Sequence, residues 1–143
     1  MYLYALLVAV LVIALIFAAP TAKKVWVATA AVTLAACSAI TLSVLAFMHG
    51  EVEIATLFTP LFGVEHLVVD KLSSLFLLII SIASVATVLY SRGYVAGYLN
   101  RYSPSHIALH YTALVLLVVS MMLVVMSSGG FSFLFSWELM TIA

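Results

Sequence analysis

Apolar residues run along this chain in five long blocks separated by short clusters of charged and turn-forming residues, and block length predicts the elements. The first block, about residues 2–19, ends at Pro20. It exceeds the ~7–15-residue core of a signal peptide, and its nearest basic residues, Lys23 and Lys24, follow it, so it reads as a retained transmembrane helix. The second, about 25–48, is long enough to span, since ~20 residues at ~1.5 Å each cover a ~30 Å hydrocarbon core. It is dense in small residues (Ala28, Ala31, Ala35, Ser38), which predicts close helix neighbours. A third span, about 72–90, has Asp70 placed as its N-cap, and a fourth covers about 106–126. After the break Ser127-Ser128-Gly129-Gly130 a fifth begins at Phe131 and stops 13 residues later at Ala143.

Two polar stretches interrupt the pattern. Residues 49–70 carry Gly50, Glu51, Glu53, Pro60, Gly63, Glu65 and Asp70 around the apolar clusters Leu57-Phe58 and Leu61-Phe62, which reads as an ordered loop or a short hairpin at the interface. Residues 91–105 hold Arg92, Asn100, Arg101 and Pro104 among Tyr94, Tyr98 and Tyr102, and tyrosines suit a membrane–water boundary.

Composition changes the picture by fixing the class. At 67% hydrophobic and 7% charged, 143 residues cannot cover a water-soluble globule, so the expectation is an all-α integral membrane protein: one transmembrane domain, 1–143, of about five helices, the fifth incomplete. Five basic and five acidic residues cancel, which leaves no bulk charge for nucleic acid. Where the charges sit still matters. Lys23, Lys24, Arg92 and Arg101 fall on one side of the spans, so the positive-inside rule predicts a multi-pass protein of the cell (inner) membrane with its N-terminus and the 49–70 loop outside; Lys71 alone dissents. The single Cys37 in an apolar run excludes an internal disulfide and a cysteine-only metal site, and no cofactor site is expected.

Candidate chemistry centres on Glu138, a carboxylate inside the apolar run Phe133 to Ala143. Such a group costs at least ~2.5 kcal/mol to insert, so it is by default functional, although near a helix end it could instead snorkel to water. Trp137 is its packing or gating neighbour. Ser81, Ser84 and Thr87 form an i, i+3, i+6 stripe on the third span, suited to helix–helix hydrogen bonds or to ordering water along a proton path. His106 and His110 lie one turn apart without a third metal ligand, which favours interfacial histidines, with His110 a possible proton entry. Glu51 and Glu53 read as solvated loop charges and Trp26 as an interfacial anchor.

Four stretches carry a resemblance: Val69-Asp-Lys-Leu-Ser-Ser-Leu-Phe76, Leu89-Tyr-Ser-Arg-Gly-Tyr94, Ser120-Met-Met-Leu-Val-Val125, and Phe133-Leu-Phe-Ser-Trp-Glu-Leu-Met140. Together they resemble the antiporter-like proton-pumping membrane subunits shared by NADH:quinone oxidoreductase (complex I), energy-converting hydrogenases including formate hydrogenlyase, and multisubunit Na⁺/H⁺ antiporters. The match covers roughly Asp70 onward, helices one and two agreeing only in character. It implies a fold of about fourteen helices in two inverted five-helix bundles, of which this chain is the N-terminal portion. It further implies that Glu138 is a proton relay coupled to a lysine on a later helix, and that the partners are membrane subunits of a respiratory or hydrogenase complex. Where many members have Asp-Asn before helix five, this chain has Ser128-Gly129. The expected function is proton or cation translocation without redox chemistry in this chain; the alternative is a non-catalytic scaffold or split-gene fragment packing against partners.

Overall fold

The structure, a computed structural model, describes residues 11–59, 63–98 and 101–143. Residues 2–10 of the first expected helix, Pro60 and Leu61-Phe62 of the expected 49–70 loop, and Asn100 of the expected 91–105 loop lie outside these. Helix α1 is described over 11–18, followed by α2 (Thr21–His49), strands β1 (Val52–Thr59) and β2 (Gly63–Val69), and helices α3 (Lys71–Ala96), α4 (Pro104–Met126) and α5 (Gly130–Ile142). Among the described residues three helices are long and apolar enough to cross a membrane: α2 from Lys23, α3 and α4.

Several boundaries differ from those read in the sequence, for local reasons. Pro20 stops α1 and serves as the N-cap of α2, so α2 starts at Thr21, and Lys23 and Lys24 belong to its first turns rather than to a loop. Helix α3 continues six residues past Tyr90, because nothing before Pro104 removes a backbone donor and Gly93 costs only ~1 kcal/mol relative to alanine. Along that extension Tyr90, Tyr94, Tyr98 and Tyr102 form a ladder with ring centroids 5.1–6.3 Å apart. Ser103 caps α4, with Pro104 in the first turn, where its missing N–H is not needed.

The 49–70 stretch is an antiparallel hairpin, so the fold is helical with one two-stranded addition. Its register pairs Val52 with Val69 and Thr59 with Gly63, and shifts once between Glu53 and Ala55. Gly50 (φ 92°) and Gly63 (φ 80°) adopt backbone conformations that side chains disfavour, the first where α2 ends and the second where β2 begins.

Helix packing is inside-out relative to a soluble bundle. The buried face of α3 is Ser74, Leu77, Ser81, Ser84, Val88, Ser91 and Val95, at alternating spacings of three and four. That of α2 includes Ala28, Val32, Ala36, Ala39, Ser43 and Ala46, so the α2–α3 seam is built of small residues that let backbones approach closely. Large side chains point outward instead: Leu34 is 71% exposed, Met48 72% and Ile82 68%. One apolar cluster joins α2, α3 and α4 toward the hairpin (Val32, Val69, Leu77, Val118, Met122), and a second lies at the opposite end around Ile16, Ala28 and the fully buried Tyr111.

Candidate functional site

Helix α5 packs chiefly against α4, and its N-terminal turn has no cap of its own, since Gly129 at the N-cap carries no side chain. A helix start leaves four backbone N–H groups without intrahelical partners. Two of them are taken by Glu65 of β2: the Phe131 N–H donates to Oε1 at 2.9 Å and the Ser132 N–H to Oε2 at 2.8 Å. A carboxylate at this end of a helix also faces the positive end of its dipole. Burial, with Glu65 only 7% exposed, pushes the carboxyl's pKa up, but the hydrogen bonds from Ser132 and Phe131 outweigh it and hold Glu65 below the usual carboxylate range. Gly129 lies so close that a Cβ there would run into the Glu65 carboxyl group.

The same strand makes a second tie to the connection between α4 and α5. The Ser128 backbone N–H and hydroxyl both donate to the His66 carbonyl, at 3.1 and 2.6 Å, and the His66 N–H donates to Ser128 Oγ at 3.3 Å. Leu67 and Ser127 form an isolated β-bridge. On the outer side of the hairpin, Glu53 is not a bare solvated charge: it lies 2.7 Å from His66 Nδ1 and accepts from Thr56 at 2.7 Å, and these contacts lower its pKa.

Glu138 stands about two turns along α5, ~12 Å from Gly130 at ~1.5 Å per residue. Ser132 and Ser136 form the buried face of α5, and Glu138 lies off it, exposed, beside the exposed Leu134, Phe135 and Ile142. Among the described residues its carboxylate has no hydrogen-bond or ion-pair partner. Trp137, 46% exposed, keeps its ring 5.9 Å from that of Phe133.

The remaining sequence candidates do not converge on Glu138. Ser81 and Ser84 share the buried face of α3, where Ser81 is fully buried and its Oγ has no partner among the described residues. Thr87 leaves the stripe: it is exposed and donates to its own helix at the Ala83 carbonyl, 2.8 Å away. The spacing of three and four continues it through Ser74 and Ser91 instead. His110 lies near the start of α4, ~24 Å from that helix's C-terminal end at ~1.5 Å per residue, so the length of α4 separates it from the α5 turn. There it lines an open cavity of about 330 Å³ with Tyr94, Tyr98, Tyr102, His106 and Ile107. His106 Nδ1 lies 2.8 Å from Ser103 Oγ, within the α4 cap.

Sequence reasoning missed three charged residues with structural duties, Glu65 among them. Lys24 is 3% exposed, and its ammonium donates to the Ile16 and Phe17 carbonyls at 2.7 and 2.8 Å, closing the end of α1. Arg92 lies over the Trp26 ring, 4.0 Å from its centroid, which ties α3 to α2. For Glu65 the available signal was the Ser-Ser-Gly-Gly start of α5, which offers no carboxylate near a helix that needs donors satisfied. Compared with known protein families the chain matches none, and no curated protein matches it.

Proposed function

We propose that this chain is a proton- or cation-translocating membrane subunit of a redox-driven complex of the complex I or membrane-bound hydrogenase type, with Glu138 as the group that carries the proton. The observation that carries this reading is the exposed carboxylate, without a partner among the described residues, on an apolar helix face. Lipid is a poor environment for it, at a cost of at least ~2.5 kcal/mol, so the face of α5 bearing Glu138 belongs against a partner helix or a water-filled path. The resemblance supplies a lysine there. Hydrocarbon favours the neutral carboxyl and a nearby cation favours the carboxylate, so a glutamate between the two takes up or releases a proton as the cation recedes or approaches. Ser81 and Ser84 are candidates for ordering water in the interior, and Trp137 for restricting access beside Glu138. His110 belongs to the opposite membrane boundary, as a proton entry.

In this reading the hairpin faces outward with the N-terminus, and Lys23, Arg92 and Arg101 face the cytoplasm. The test is Glu138→Gln, which keeps the shape and removes the titration. Ion translocation in proteoliposomes, normalised to assembled complex, should fall at least tenfold, while Glu138→Asp retains part of it; misplacement by ~1 Å can cost ~100-fold. Translocation at the wild-type level would exclude Glu138 from the mechanism. A second reading, a scaffold that only packs against partners, is favoured by the large apolar side chains flanking Glu138 on α5 (Leu134 62% and Ile142 77% exposed). It predicts lost assembly, not lost translocation per complex, when that face is changed.

A further inference from the structure

We infer that Glu65 is the positioning residue for Glu138: by binding the first turn of α5 from β2, it sets the depth and rotation of the helix that carries the relay. The inference rests on the function proposed for Glu138 and assigns that site an outward-facing anchor.

Helix α5 packs chiefly against α4, and the face it buries is made of Ser132 and Ser136. Small side chains present low ridges, which allow close approach but oppose sliding weakly. A directional hold on it comes at its N-terminus, where Phe131 and Ser132 donate to the two oxygens of one buried carboxylate. A bidentate contact fixes direction as well as distance, because neither bond survives a large rotation of the turn. The geometry also explains Gly129, which leaves the room that the Glu65 carboxyl occupies. Ser128, bonded in both directions to the His66 backbone, fastens the preceding residue to the same strand. Hairpin and first turn thus form one body, and a displacement of the hairpin is passed to Glu138 about two turns further on.

The experiment compares Glu65→Gln, Glu65→Asp, Gly129→Ala and Glu138→Gln in the assembled membrane complex. It reads backbone amide exchange at Phe131 and Ser132 and the titration of the Glu138 carboxyl by infrared spectroscopy. Glutamine keeps the shape but turns one acceptor into a donor facing a donor, and alanine at 129 displaces the carboxylate from the other side. Both should raise exchange about tenfold, the effect of losing a charge-assisted cap, and shift the midpoint of the Glu138 band. Glu65→Asp, one methylene short, should fall between wild type and glutamine and serves if Gly129→Ala does not assemble. Unchanged exchange in Glu65→Gln, or raised exchange with an unmoved Glu138 titration, would overturn the positioning role. If Glu138→Gln translocates normally while both shifts appear, the functional reading fails and the positioning stands; if Glu138→Gln is inactive and neither shift appears, the positioning alone fails.

Discussion

The ammonium group of Lys24 does two things at once: it satisfies two carbonyls at the end of α1, and it removes one positive charge from the loop count on which orientation rests. Lys24→Met would leave the buried Ile16 carbonyl and the part-buried Phe17 carbonyl without their donor, so it should cost ~1–3 kcal/mol, seen as a lower unfolding midpoint in detergent. Ser81 should behave oppositely. Its hydroxyl is buried without a partner among the described residues, so Ser81→Ala should leave stability unchanged or raised, and any fall in translocation would then report a role in ordering water rather than in packing. For Glu65 the sign follows from its lowered pKa: the folded state favours the carboxylate, so its contribution is complete above the ordinary carboxylate range and is lost as pH falls below it, under about pH 4. The stability gap between wild type and Glu65→Gln should therefore be full near neutrality and close on acidification. A constant gap would contradict it. Comparing with Glu65→Gln isolates this carboxylate from Asp70 and Glu53, whose pKa values are also lowered.

At the scale of elements, helices were legible where their own residues decide them. Asp70 is the cap of α3 as its sequence position suggests, accepting from the Ser73 N–H at 2.6 Å, and Asp70→Ala should cost ~1 kcal/mol, measurable as a lower unfolding midpoint. Turn residues with partial alternation were enough to suggest the hairpin. What local pattern could not carry was the hairpin's job. Glu65 and the amides it binds are 66 and 67 residues apart in sequence, and no spacing rule relates them. The same limit applies to the serine stripe. Its presence on α3 was readable from Ser81 and Ser84, but a rigid three-residue step led to Thr87, whereas the helix turns by 3.6 residues and buries Ser91 instead.

For the whole molecule, a shift of polarity is the feature that the blocks and the packing share: many serines and alanines lie inside beside the apolar core, while many large side chains such as Leu34, Met48 and Ile82 lie outside, as suits a surface solvated by lipid. Orientation can be tested in a Cys37→Ala background, because Cys37 is exposed on α2. A membrane-impermeant thiol reagent should label Glu51→Cys in intact cells and leave Lys23→Cys unlabelled until the membrane is opened; the reverse pattern would invert the topology. If Glu138 exchanges a proton within the membrane, as proposed, its own titration should show it. Infrared difference spectra of the assembled protein in lipid, recorded across pH, should contain a protonated-carboxyl band that appears on acidification and is absent in Glu138→Gln. Spectra identical in wild type and Glu138→Gln at every pH would contradict the account.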